Sequence, residues 1–257
     1  MKSLFDVLSS VIYGTTIVDV KSLPTQGYFY PKDFEIKLKR ASVEDIIEYE
    51  FNFKTENIIE IIEVIKSLVR KNLELSKNYK FEDLKSIDII YVFLELVKFT
   101  NKKPIKVNYP DELSKKLIQV DFSDKTFNYF DFSDFLKYYD SKLRHFNIDG
   151  YKFSMPSLGT EESVTRYLID RTKYDNEKRY DELNYDFIFF LGGKNHLTFD
   201  EIENLLTIFN EDLDLTEQNK IKDVIDKFDK LIKYSLKVDD KIIDLKANID
   251  LANIWKE

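Results

Sequence analysis

The chain has 257 residues, 43% hydrophobic and 33% charged, with a formal net charge of −8. That length and mix suit one large or two modest domains with a real core, and the acidic balance argues against nucleic-acid binding as a main role, because phosphate contacts need clustered Lys and Arg. The absence of cysteine excludes disulfides, thiolate zinc sites and thiol catalysis.

In chain order, Leu4, Leu8, Val11 and Ile12 recur at helical spacing over residues 3–13, and Gly14 ends the pattern. An acid, Asp6, interrupts this first apolar stretch, so no signal peptide is expected. Residues 17–20 are β-like. Then comes Leu23-Pro24-Thr25-Gln26-Gly27-Tyr28-Phe29-Tyr30-Pro31, which concentrates two of the chain's five prolines, one of its six glycines and three aromatics. Proline fixes φ and glycine admits positive φ, so this segment reads as a shaped, non-helical turn. Residues 35–39 alternate with period two and predict a half-exposed strand. Ser42 caps a helix whose first turn holds Glu44 and Asp45. Residues 57–75 predict the clearest helix, with Ile58, Ile61, Ile62, Ile65, Leu68 and Val69 in one stripe. Residues 82–99 predict a second long helix, apolar nearly all round at 89–94 and therefore central.

Residues 104–131 read as a β-insert, with β-like runs at 105–109, 117–122 and 126–130 and a hairpin loop at Ser123-Asp124-Lys125. Residues 132–143 return to helix. A turn, a short strand and a second punctuated segment, Met155-Pro156-Ser157-Leu158-Gly159, lead to Thr160, read as the cap of a helix with Glu161 and Glu162 in its first turn. Residues 180–191 predict a helix ending at Gly192-Gly193. Thr198 and Glu201 form a capping box, and Asp214 and Glu217 share its spacing and open a helix to Lys233. Residues 234–245 read as a hairpin and 250–255 as a terminal helical turn. The expected class is α+β, predominantly helical with small β-hairpin elements. The expected division is a helical domain at 1–145, holding the turn and the β-insert, and a mainly helical domain at 146–257 ending in the hairpin. The longest apolar runs are too short to span a bilayer.

Chemical motifs are sparse. Gly192-Gly193-Lys194-Asn195 fails the phosphate-loop pattern at both ends, since Ile188 and Asn195 stand where glycine and Ser/Thr are required. The two histidines, His145 and His196, lack metal or triad spacing and read as surface or capping residues. The oxygen-rich run at 210–217 lacks the glycine and spacing of a calcium loop. The aromatics Phe122, Phe127, Tyr129, Phe130, Phe132, Phe135, Tyr138 and Tyr139 are interleaved with acids rather than bases, which favours packing over base stacking. Charge is uneven: residues 181–217 hold ten acids against one Lys, and residues 21–40 five bases against two acids. Solvated helix faces account for that pattern. These readings imply no enzyme, no cofactor, no metal and no nucleic-acid partner.

The turn at 23–31, the strand after it and Ser42-Val43-Glu44-Asp45 together resemble the opening of the baseplate hub assembly family of T4-like contractile phages. A downstream pattern like Asp83-Leu84…Asp88…Tyr91-Val92 and a short β-insert resemble the same family over residues 20–130. Relatives often carry paired cysteines in that insert, like a zinc ribbon, and this chain has none. The resemblance implies a non-catalytic baseplate assembly or minor structural protein whose partners are other baseplate or hub proteins. Self-association stays open. The implied location is the host cytoplasm during assembly and the tail baseplate in the virion. Leu23, Pro24, Gly27, Tyr28, Tyr30, Pro31, Met155, Pro156 and Gly159 stand out as partner-contact or fold-defining residues. The alternatives are a carboxylate-dependent hydrolase, which needs two convergent carboxylates in a pocket, and a helical adaptor of the host.

Overall fold

The computed structural model describes residues 14–53, 58–76, 78–102, 105–110, 117–122, 132–174, 194–231, 235–238, 241–244, 251 and 254–255. Among them the chain is α+β and helix-dominated, as its sequence predicts. The first layer is an antiparallel sheet of β1 (Thr15–Val18), β2 (Ile36–Lys39) and β3 (Leu73–Leu75), in that order. The period-two alternation of β2 sends Ile36 and Leu38 into the core and leaves Lys37 and Lys39 to solvent. Helix α1 (Val43–Asn52) starts at a capping box: Ser42 Oγ accepts from Asp45 N–H and the Asp45 carboxylate accepts from Ser42 N–H. Helix α2 (Ile58–Asn72) buries Ile65, Leu68 and Val69. Through the middle runs α3 (Ile89–Asn101), with Ile89 to Leu94, Leu96 and Val97 all buried, the central helix that its all-round apolar sequence demands.

A hairpin of β4 (Ile105–Pro110) and β5 (Leu117–Phe122) follows. The second antiparallel sheet orders β6 (Tyr139–Asp140), β7 (His145–Ile148) and β8 (Tyr151–Phe153). Asp149 and Gly150, both at positive φ, make the two-residue turn between β7 and β8. Helices α4 (Leu158–Tyr174), α5 (Phe199–Thr207) and α6 (Leu215–Leu231) complete this layer, and β9 (Ser235–Val238) pairs with β10 (Lys241–Asp244). Among the described residues no helix is long and apolar enough to cross a membrane.

Two hydrophobic cores result, and they exchange segments across residue 145. The first gathers the β1–β3 sheet with α1, α2 and α3, and takes Leu158 and Ile254 from the far half of the chain. The second gathers the β6–β8 sheet with α4, α5 and α6, and takes Phe29, Ile87, Phe132 and Phe135 from the near half. Each fully buried aliphatic or aromatic side chain contributes roughly 1.5–3 kcal/mol over an exposed one. Both cores therefore draw stability from chain that is remote in sequence.

Several elements depart from their predicted form. The helix expected over 57–75 stops at Asn72, whose buried amide donates to Leu68 O, and the chain leaves as β3 to pair with β2. The helix expected over 82–99 starts only at Ile89. Before it lie two 3-10 turns, Phe81–Asp83 and Ser86–Asp88. Their backbone is claimed elsewhere, because Ser86 N–H donates to Pro156 O and Leu158 N–H to Leu84 O. Residues 132–143 are not a helix but turns, a 3-10 turn (Leu136–Tyr138) and β6, set by an Asp140 carboxylate that accepts from Lys142 and Leu143 N–H. Helix α4 begins before Thr160, and its cap is Ser157, whose Oγ accepts from Thr160 N–H. His145 is buried in β7, not on the surface. The capping box at Thr198 and Glu201 is present. So is the pairing of Asp214 with Glu217 N–H, at the start of a helix described as far as Leu231. The predictions over 3–13, 123–130 and 180–193 lie outside the described residues.

Candidate functional site

The turn at 23–31 sits where the two cores meet. Gln26 and Gly27 take left-handed φ of 52° and 76° in succession, which reverses the chain at little cost for glycine. The reversal aims neighbouring rings in opposite directions. Tyr30 enters the first core and stacks on Phe34 at 4.4 Å, while Phe29 enters the second and meets Phe146 edge-on at 5.6 Å. Tyr28 is half-buried against Phe132 and Tyr139, and Tyr139 Oη donates to Tyr28 O.

One carboxylate fastens this turn. Asp88, at the end of the 3-10 turn before α3, is fully buried. Its Oδ1 accepts from Thr25 N–H at 3.0 Å, and its Oδ2 accepts from Thr25 Oγ1 and Tyr30 Oη, each at 2.7 Å. Tyr30 Oη in turn accepts from Lys85 N–H at 2.9 Å. Burial pushes the Asp88 carboxyl up to about 6, against the opposing pull of the Thr25 and Tyr30 donors and the Lys85 charge. Burial also lowers the Lys85 ammonium to about 8, with Asp88 and Asp83 opposing. Burial and the Asp88 charge together hold the Tyr30 phenol well above its ordinary value. For both Lys85 and Asp88, loss of water outweighs the attraction between their charges.

The second punctuated segment closes the same junction from the other side. Lys85 Nζ donates to Asn195 Oδ1 at 3.1 Å, and Asn195 Nδ2 donates to Asp83 Oδ1 at 3.0 Å. Ser157 Oγ donates to Asn195 O at 2.8 Å, and Thr160 Oγ1 donates to Lys194 O at 2.6 Å. Gly159 makes room for this contact: a Cβ there would lie 2.5 Å from Asn195 O and from the His196 ring. The hydroxyl protons of the cluster are thus committed to internal acceptors. Chemically the arrangement fastens four chain segments, at 25–30, 83–88, 156–160 and 194–196.

Of the residues singled out by sequence, Leu23, Pro24, Tyr30, Met155 and Gly159 are buried, while Gly27, Tyr28, Pro31 and Pro156 are half-buried. They lie around the junction of the two cores. The ring and the hydroxyl of Tyr30 are both used inside the chain. Sequence reasoning missed the polar centre, Thr25, Lys85, Ser157, Thr160 and Asn195, because no motif marks it. Asp88 is visible only as one member of the downstream pattern.

A different surface carries exposed apolar side chains. On α1, Val43, Ile47 and Phe51 are 73%, 59% and 66% exposed. Their spacing puts all three on one face, opposite buried Tyr49. The sequence holds the signal, an apolar residue at every fourth position of an acidic helix. An open groove of about 230 Å³ lies between α1 and α2, lined by Asp45, Glu48, Tyr49, Glu63, Leu68 and Lys71 among others. Another cavity, of about 530 Å³, lies at the sheet edge near Asp33, Glu35, Lys37 and Glu74. Among the described residues no three His, Cys, Asp or Glu side chains cluster so as to hold a metal ion. Comparison with protein-family models, curated proteins and solved structures found no match for this chain.

Proposed function

We propose that the chain is a tail-baseplate protein of a T4-like contractile phage, acting as an assembly factor or minor structural component of the baseplate hub. It works through protein–protein contacts and without catalysis. One observation carries the reading. The two segments that resemble the family, the turn at 23–31 and the pattern Asp83-Leu84…Asp88…Tyr91-Val92, come together on the buried carboxylate of Asp88, which takes donors from both Thr25 and Tyr30. The resemblance therefore picks out residues that the fold uses as a unit. Rigid fastening of two cores suits a protein whose task is to present fixed surfaces to partners.

Its partners are other baseplate or hub proteins, met in the host cytoplasm during assembly and retained or released at the tail baseplate. The test is affinity purification of the tagged chain from phage-infected cells. Recovery of baseplate hub proteins in constant ratio supports the reading. Recovery of the chain alone, as a monomer that hydrolyses a substrate through a carboxylate pair, replaces it with the hydrolase alternative. A gene set among host genes, with no tail genes beside it, replaces it with a host adaptor.

A further inference from the structure

We propose that the exposed face of α1 is the docking site for a basic amphipathic helix of a partner protein. The inference rests on the protein-contact reading but not on the phage assignment. Scattered exposed apolar side chains are ordinary, and Leu143 and Leu215 are of that kind, lying on separate elements at 60% and 75% exposure. Val43, Ile47 and Phe51 differ because they form one continuous stripe along a single helix. Three aligned apolar anchors are the complement of a helix that binds through positions i, i+3, i+4 and i+7.

The charge around the stripe selects the partner. Helix α1 carries Glu44, Asp45, Glu48 and Glu50 and no base. By helical spacing Glu44 and Glu48 follow the stripe along one side, and Glu50 lies along the other. The groove on the Glu48 side adds Asp45 and Glu63. Its cation Lys71 is held by Glu48 at 2.5 Å, and Glu63 is met by Lys66 at 2.9 Å. Along α1 itself the apolar stripe thus has acid on both flanks, so a helix with an apolar stripe between lysines or arginines matches it in both pattern and sign.

The helix is also held in place for this task. Its start is fixed by the Ser42–Asp45 capping box, and its inner face is anchored by Tyr49, which stacks on Phe93 and donates its hydroxyl to Leu251 O at 2.9 Å. The backbone of the helix is therefore held before a partner binds, which limits the cost of ordering to the side chains of its outer face.

The test uses the full chain and two synthetic helical peptides with the same leucine stripe, one flanked by lysines and the other by glutamates. Binding is read by fluorescence anisotropy at low and high salt. The lysine peptide is expected to bind about tenfold or more tighter than the glutamate peptide, with an affinity that falls as salt rises. Ile47→Glu should weaken it by about tenfold or more, whereas Leu143→Glu should leave it unchanged. The double reversal Glu44→Lys with Glu50→Lys leaves the stripe intact and should invert the peptide preference. Equal binding of both peptides overturns the proposal, as does unchanged binding by folded Ile47→Glu. Concentration-dependent dimerisation that Ile47→Glu abolishes overturns it too, by giving the face to a second copy. Peptide binding with no hub protein recovered from infected cells would uphold the docking face and sink only the phage assignment.

Discussion

Tyr30→Phe isolates the fastening of the turn, because it removes one oxygen and leaves the ring. The phenyl group keeps its place against Phe34, 4.4 Å away. Two hydrogen bonds disappear: the one donated to Asp88 Oδ2 and the one accepted from Lys85 N–H. The first ends on a buried carboxylate and is worth about 1.5–3 kcal/mol; the second leaves a buried N–H without an acceptor, at about 1–3 kcal/mol. The two losses overlap, since the backbone relaxes once, and the expected loss of stability is about 2–4 kcal/mol. Urea unfolding at neutral pH measures it as a lower midpoint with an unchanged m-value. The single Trp255 packs against Tyr49 and Phe93 and reports the first core, while far-UV circular dichroism reports both. Because each core contains chain from both halves, the two signals should move together. Combining Tyr30→Phe with Asp88→Asn should show a coupling of about 1–3 kcal/mol, because the two groups share a bond. A loss below about 0.5 kcal/mol, or strict additivity of the pair, would refute the idea that this oxygen fastens the junction.

Asp88 also predicts a pH dependence. Its folded value is raised from 3.8 to about 6, so the folded state binds the proton more tightly than the unfolded state. Stability from this group is therefore complete below about pH 4 and lost as pH rises through 6, a change of about 3 kcal/mol. Lys85, lowered only to about 8, stays protonated across that window. Asp88→Asn should flatten the slope between pH 4 and 6 in denaturant titrations, and an unchanged slope would count against the assignment. Gly159→Ala forces a methyl group against the backbone of Asn195 and should destabilise by about 1–3 kcal/mol; a thermal midpoint equal to that of the parent chain would contradict the close approach. Ser42→Ala removes the acceptor for Asp45 N–H and should cost about 0.5–2 kcal/mol, read as a lower urea midpoint.

What could be read from sequence was local. The cap at Ser42 and the capping box at Thr198 are each complete within four residues, and both are found. The all-round apolar run at 89–94 placed the central helix. The turn at 23–31 announced its own shape through Pro24, Gly27 and Pro31. What could not be read depended on distant partners. Residues 82–88 have helical periodicity, yet Pro156 and Leu158 take the backbone groups that a helix would use. Asp88 looks like an ordinary acid until the fold brings Thr25 and Tyr30 onto it from about sixty residues away. Residues 132–143 are as apolar as a helix, but Asp140 turns the chain by binding its own backbone. The α1 stripe was present in the residue spacing, and only exposure distinguishes it from a buried face.

Cryo-electron microscopy of baseplate assembly intermediates isolated from phage-infected cells confronts the whole account. The expected result is this chain bound among hub proteins, with Val43, Ile47 and Phe51 covered by a partner helix and Tyr30 still closed on Asp88 inside the monomer. Intermediates that lack the chain, or that hold it with α1 bare and the turn at 23–31 opened onto a partner, would contradict it.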